Sequence, residues 1–205
     1  KLAVVGRDEV AQMGESVNQV VSVLNGFKAA QVEMKAQHDA GAISHRIDAK
    51  RFSGSYAEMA EMTNELVAAH IAVKMRVVEV VRRYAAGDLS ADMDRLPGEK
   101  ARITEAMDAV KASLKTINGE IAGLVEAAVR GDFKVRGDVQ RYEHDFRKMV
   151  EGLNRLMEVN DTSLAEVARV LAALARGDLT EKIINDYQGT FGQLKDDSNR
   201  TVEQL

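Results

Sequence analysis

Apolar residues recur along this chain at alternating steps of four and three. Ile103, Met107, Val110, Leu114, Ile117, Ile121, Leu124 and Ala128 form one such run without interruption. That spacing is a heptad seam, the pattern of a helix that presents a single stripe to partner helices. Three other segments fit the same frame. They are Met59, Thr63, Leu66, His70, Val73, Val77, Val80 and Tyr84; then Met149, Leu153, Leu156, Asn160, Ser163, Val167, Val170 and Leu174; and Met13, Val17, Val20, Leu24, Phe27, Gln31, Met34 and His38. Each run predicts a helix of roughly 30 residues, about 45 Å long at ~1.5 Å rise per residue. The fold class expected is all-α.

The frame repeats. Asn18, Asn64, Asp108, Asn154 and Asn199 occupy one equivalent position, at steps of 46, 44, 46 and 45 residues, and serve as anchors for counting. Gly41-Ala42-Ile43, Gly87-Asp88-Leu89, Gly131-Asp132-Phe133 and Gly177-Asp178-Leu179 form a second series. From each anchor forward to the next glycine the count is always 23, whereas from glycine to the next anchor it is 23, 21, 23 and 22. An inserted residue rotates the rest of a helix by about 100°, while a loop absorbs it at small entropic cost. The constant half therefore reads as continuous helix and the variable half as containing a connector.

Helix ends follow from local chemistry. Gly41, Gly87, Gly131 and Gly177 stand just past the seam, where glycine enters the left-handed region freely and stops a helix. Nine residues before the anchors stand Glu9, Ser55, Glu99, Asp145 and Thr190, side chains suited to accept from the free N–H groups of a helix start. The connectors, 41–54, 87–98, 131–144 and 177–189, exceed the two to five residues of a simple helical hairpin. A dozen extended residues reach about 40 Å, enough to return along a half-helix of about 22 Å. The next helix can then start at the foot of the last and run parallel to it. Apolar connector residues would staple it there: Ile43 and Ile47, Leu89 and Met93, Phe133, and Leu179 and Ile183. Four after Phe133 comes Gly137, so Val135 or Val139 is left to fill that place. The expected seam core comprises Met59, Leu66, Val77, Val80, Ile103, Met107, Val110, Leu114, Ile121, Leu124, Leu153, Leu156, Val167, Val170 and Leu174.

Composition narrows the function. Net charge is −4 with mixed signs, and no basic face is present for nucleic acid. The chain has no cysteine, which excludes disulfides and thiolate metal sites. His38, His45, His70 and His144 show no metal-ligand spacing, so neither metal nor cofactor is expected. The Gly-Asp pairs lack the glycine-rich cradle and the Lys-Ser/Thr of a phosphate loop, and Asp196-Asp197 reads as a solvated face rather than an acid/base couple. Five of the nine methionines fall on the seam and are assigned to core. Gln31, Asn160 and Ser163 are polar seam positions that either set register or are merely tolerated at a wet junction. The most apolar stretch, Leu66 to Val81, is interrupted by His70, Lys74, Arg76 and Glu79, short of the ~20 residues a membrane span needs. The sequence opens at Lys1 and reads as a piece of a longer chain, with any membrane anchor elsewhere. No enzyme chemistry is expected.

The plan of helix, Gly-Asp-Leu connector and second helix, here with Asp8-Glu9-Val10 before Asn18, resembles the HAMP domain of bacterial chemoreceptors and sensor kinases. Residues Ala175 to Ile183 and Gly192 to Asp197 are similar to the HAMP unit that precedes the methylated signalling hairpin of chemoreceptors. Asn64 to Met75 and Asp94-Arg95-Leu96-Pro97-Gly98 look like the tandem HAMP array of soluble aerotaxis-type receptors. The resemblance covers essentially the whole chain. It implies a trailing second helix (1–25) and four HAMP units (26–72, 73–116, 117–162 and 163–205), in a parallel homodimeric coiled coil of four-helix bundles. It further implies non-enzymatic transmission of conformational signals from an upstream sensor module to a downstream signalling hairpin that controls a kinase, in the bacterial cytoplasm. Ala42 replaces the motif aspartate, and Ser55 and Thr190 replace the acidic residue of the second helix. A sensor-kinase relay and a monomeric helical-repeat scaffold that binds a partner protein are the alternatives.

Overall fold

A computed structural model describes residues 8–204, so residues 1–7 of the expected leading segment 1–25 lie outside it. Five α-helices carry the described residues: α1 (Glu9–Asp39), α2 (Ser55–Ala85), α3 (Ala101–Val129), α4 (His144–Leu174) and α5 (Gly189–Gln204). Single 3₁₀ turns at Ala49–Arg51, Gly98–Lys100 and Val139–Arg141 lie in the connectors. No strand occurs among the described residues, and none of their helices is long and apolar enough to cross a membrane. The chain divides into two compact units, Lys1–Pro97 and Gly98–Leu205.

All four connector glycines end their helices by the same device. Gly41, Gly87, Gly131 and Gly177 adopt φ of 92°, 82°, 75° and 78°. Their N–H groups donate to His38, Tyr84, Ala128 and Leu174, and the next residue donates five back, to Gln37, Arg83, Ala127 and Ala173. This paired closure satisfies carbonyls that a helix end would otherwise leave free. At the other end, Asp8 accepts from the Ala11 N–H at 2.9 Å and caps α1.

In the first unit, Phe27 of α1 meets Phe52 edge-on at 5.5 Å and Tyr56 at 5.8 Å. Further along, Met34 and His38 share a groove with Thr63 and Val67 of α2. Residue numbers rise together on the two helices, so α1 and α2 run parallel and the connector returns between them. The core they enclose is Phe27, Ala30, Met34, Ile47 and Ala60.

The second unit repeats the arrangement twice. Ile117 of α3 packs with Val150 of α4 and with Tyr142. Leu124 and Ala127 pack with Met157. The second half of α4 then pairs with α5 through Val170, Ile183 and Val202. One continuous helix, α4, therefore serves two joints in succession, its first half closing on α3 and its second on α5. Val150 and Val170 are essentially inaccessible, a burial that contributes about 1.5–3 kcal/mol each.

The heptad frame splits in a way the sequence reading did not foresee. Nine and sixteen residues after the anchors the chain buries its own side chains: Phe27, Ile117 and Ser163, then Met34, Val80, Leu124 and Val170. Two residues after the anchors the seam lies open: Leu66 is 61% exposed, Val110 48% and Leu156 59%. Five before, Met59 and Met149 are exposed as well. Of the remaining expected core, Met107 is buried. Val77, Ile103, Leu114, Ile121, Leu153, Val167 and Leu174 are half-buried. The intrachain face is carried instead by a position one step away from the frame, four before the anchor, where Ala60, Thr104 and Val150 are buried. A helix pair covers only part of each stripe, so half of a seam intended for more than two helices stays uncovered by one chain.

Candidate functional site

The joints between helices are built around the connectors, and the anchors turn out to be their fasteners. The Asn64 carboxamide accepts from the Ile47 N–H at 2.9 Å and donates to the Ile47 carbonyl at 2.8 Å. Asn154 does the same to Gly137, at 2.7 and 2.9 Å. Asn199 does it to Ile183, at 2.8 and 2.9 Å. Only an amide offers a donor and an acceptor side by side, so asparagine clamps an irregular backbone as a neighbouring strand would. The carboxylate side chain of Asp108 carries no N–H and cannot make this two-way bond.

The clamp locates the length variation. The residue six after the glycine is Ile47, Met93, Gly137 or Ile183, and the residue twelve before the anchor is Phe52, Leu96, Tyr142 or Tyr187. Between these two fixed points the count is five, three, five and four. The 3₁₀ turns Ala49–Arg51 and Val139–Arg141 fill the two five-residue intervals. Asp48 and Asp138 open those turns by accepting from the N–H two residues on, each at 3.1 Å.

The staple pairs are unequal. Ile47, Met93 and Ile183 are 2–4% exposed. Leu89 and Phe133 are half-buried, while Ile43 and Leu179 are 42% and 39% exposed. The expectation that the residue two past the glycine is buried therefore does not describe Ile43 or Leu179 in a single chain. In the three connectors that have it, the side chain of the motif aspartate bends the chain just past the glycine. Asp88, Asp132 and Asp178 accept from the N–H of Ser90, Lys134 and Thr180 at 2.9, 3.2 and 3.0 Å. Hydrogen bonds from the Ser90 hydroxyl and N–H, then from Arg83, hold the Asp88 carboxyl well below the usual carboxylate range. The Thr180 hydroxyl and N–H lower that of Asp178 likewise. Of the two candidates for the place left by Gly137, Val135 is exposed, and Val139 is half-buried against the Ile117–Tyr142–Val150 core. A Cβ at 137 would stand 2.7 Å from Val150, so α4 itself fills that space.

Above the clamp the joints differ. In the first, Phe27 and Phe52 meet edge to face. In the second connector, Arg76 donates to the Asp92 carbonyl at 3.0 Å and pairs with Asp94 at 3.4 Å. In the third, Tyr142 donates to Glu120 at 3.1 Å, and Glu120 also accepts from the Asp138 N–H at 2.9 Å. In the fourth, Tyr187 donates to Glu166 at 2.6 Å, and Asn185 donates to its other oxygen at 2.9 Å. Burial, then the adjacent glutamate, raises the phenols of Tyr142 and Tyr187. Two seam aromatics act on the connectors directly. Tyr84 donates to the Ala91 carbonyl at 3.1 Å, and His38 Nε2 lies 3.0 Å from that of His45. His70 is exposed on α2. No group of three or more His, Cys, Asp or Glu among the described residues is placed to hold a metal.

The clamp is testable. Asn154→Ala strips both partners from the peptide groups of the buried Gly137 and is expected to cost about 1–3 kcal/mol in urea denaturation. Asn154→Asp, which sets an acceptor against the Gly137 carbonyl, should cost at least as much. A loss under ~0.5 kcal/mol for both would make the clamp incidental.

Three family models match successive parts of the chain. Residues 24–69 match the second HAMP domain of methyl-accepting chemotaxis protein McpB, 73–115 match HAMP N-terminal domain 3, and 141–205 match the HAMP domain. A curated relative, methyl-accepting chemotaxis protein McpB of Pseudomonas aeruginosa, is 28% identical over 316 residues, an alignment covering 89% of this chain and 46% of the relative. The chain thus spans about half the length of that relative.

Proposed function

We propose that this chain, which three HAMP family models match in succession and which is similar to a methyl-accepting chemotaxis protein, is a tandem HAMP region of a chemotaxis receptor that relays conformational signals without catalysis, as a parallel homodimer. In this reading the units 26–72, 73–116, 117–162 and 163–205 stand between an input module and a C-terminal kinase-control module of the same polypeptide, on the cytoplasmic side. The exposed half of the seam carries the proposal. Met59 and Leu66 on α2, Val110 on α3, and Met149 and Leu156 on α4 lie open on helices whose later seam positions are already closed by the chain itself. A second copy presents the same stripe in the same phase, and two parallel copies would bury both. Ile43 and Leu179 would be covered by the same event. Since α4 closes one joint with its first half and the next with its second, a rotation or tilt imposed at the first is delivered to the second. Two packings within a few kcal/mol of each other are then enough for a modest input to switch the array.

Light scattering of the isolated chain should give twice the chain mass of 22.4 kDa. Spin labels at Val110 should report an inter-chain distance under roughly 20 Å, given interhelix spacings of ~8–10 Å. A monomer at micromolar concentration would favour a partner-binding scaffold instead. A dimer with labels far apart would remove the parallel arrangement.

A further inference from the structure

The four connectors share one plan, but the third breaks it twice. Ten residues before each anchor the backbone enters the left-handed region. Gly54, Gly98 and Gly189 do so at φ of 56°, 57° and 59°, and His144 does so at 49°. His144 is the one residue other than glycine with positive φ among those described. A side chain there crowds Cβ against the backbone, which glycine avoids. Nothing in the surroundings selects histidine: its side chain is exposed, and no hydrogen bond holds it.

The second break lies seven residues earlier. Ile47 and Ile183 insert buried side chains beneath their connectors, whereas the equivalent Gly137 inserts nothing. Val150 fills the space from α4, so the core remains packed but the connector is not plugged into it. What holds the third connector is the Asn154 clamp, the Tyr142–Glu120 bond, and the Tyr142 ring with Val139 against the Ile117–Val150 core. Strain at the exit and a missing plug at the middle thus fall on one segment of chain, and both favour the same departure. His144 relaxes to an ordinary φ only if the stretch from Gly137 to Glu143 shifts. The buried Tyr142 ring resists that shift, but Phe52 and Tyr187 stand at the same place in the first and fourth connectors, so the plug missing at 137 remains the difference.

We propose that, of the three connectors clamped by asparagine, the third is the one that yields first, a built-in weak point where α3 and α4 uncouple while the first and fourth connectors remain closed. Local opening is the route by which one segment of a protein departs from the folded state without the rest. The proposal does not depend on what signal the array carries, because it concerns the relative stability of connectors in one chain.

Amide hydrogen exchange on the intact chain in its native assembly tests it, with the connectors as references for one another. Segment 132–143 is expected to exchange several-fold faster than 42–53 and 178–188. His144→Gly should slow segment 132–143 by about two- to five-fold, the relief of left-handed strain less the greater freedom of glycine when open, and leave 178–188 unchanged. Gly189→His should carry the weakness to the fourth connector, speeding 178–188 by about five-fold or more. Exchange of 132–143 no faster than the other two connectors, or a His144→Gly chain whose third connector exchanges as before, would overturn the proposal.

Discussion

Gly137→Ile on its own is expected to disrupt the third joint, and Gly137→Ile with Val150→Ala to restore most of what is lost. A Cβ at 137 would lie 2.7 Å from Val150 Cγ1 and 2.9 Å from Glu120 Oε1. The glutamate oxygen ends a flexible side chain and can move aside. Val150 cannot, since it is β-branched, sits in a helix and is fully buried. Adding a whole isoleucine side chain should therefore cost at least ~3 kcal/mol, the upper end for overpacked cores. Val150→Ala alone should cost about 2–3 kcal/mol through lost burial and the space left behind. The two positions trade volume elsewhere in the chain: Ile47 faces Ala60 in one core, and Gly137 faces Val150 across the equivalent one. The double variant reproduces the first pairing, so a favourable coupling of about 1–3 kcal/mol is expected between the substitutions. Urea denaturation of the four chains measures it. Simple additivity, or a double variant worse than the sum, would mean that connector and helix do not exchange volume.

This trade explains why the sequence read well in some places and poorly in others. Helix positions were legible because periodicity and glycine stops are properties of short stretches: α2 begins at Ser55, and every helix followed by a connector ends two or three residues before its glycine. The anchors were legible as a phase but not as chemistry. Seen alone, Asn64 is a polar residue next to a seam, and its two bonds to Ile47 appear only once the chain has turned back on itself across 17 residues. The signal was nevertheless available. The constant six residues from glycine to the clamped position, and the constant twelve from Phe52, Leu96, Tyr142 and Tyr187 to the anchors, confine the variation to the short stretch that a 3₁₀ turn fills in the first and third connectors. Gly137 looked like a missing staple because staple and space were read from one strand of the pattern, while the compensating Val150 lies 13 residues further on. The exposed state of Leu66 and Leu156 was not legible, because a heptad frame reports that a stripe is apolar and not which helix covers it.

Insertions that change helix phase are expected to abolish or lock signal output, while insertions of a full heptad restore it. After Lys115, α3 continues unbroken to Val129, so one added residue rotates everything beyond by about 100°. Ile117, Leu124 and Ala127 would then face away from Tyr142, Val150 and Met157, the residues they pack against. Seven added residues return the seam to within about 20°, which slight supercoiling absorbs. One residue inserted after Gln140 falls in the 3₁₀ turn, where the repeats already differ in length, and should be the mildest of the three. One residue inserted after Asp92 falls inside the invariant six-residue span and should be harsher than the Gln140 insertion, although both lie in connectors. The readout is stimulus-dependent kinase control by the intact receptor, with the dimer mass of each variant measured alongside to separate loss of signalling from loss of assembly. If the one- and seven-residue insertions after Lys115 both assemble and signal alike, the helix transmits no phase. Conformational state would then have to cross the joints through the connectors, and the continuity of α4 through two joints would be a feature of assembly rather than of relay.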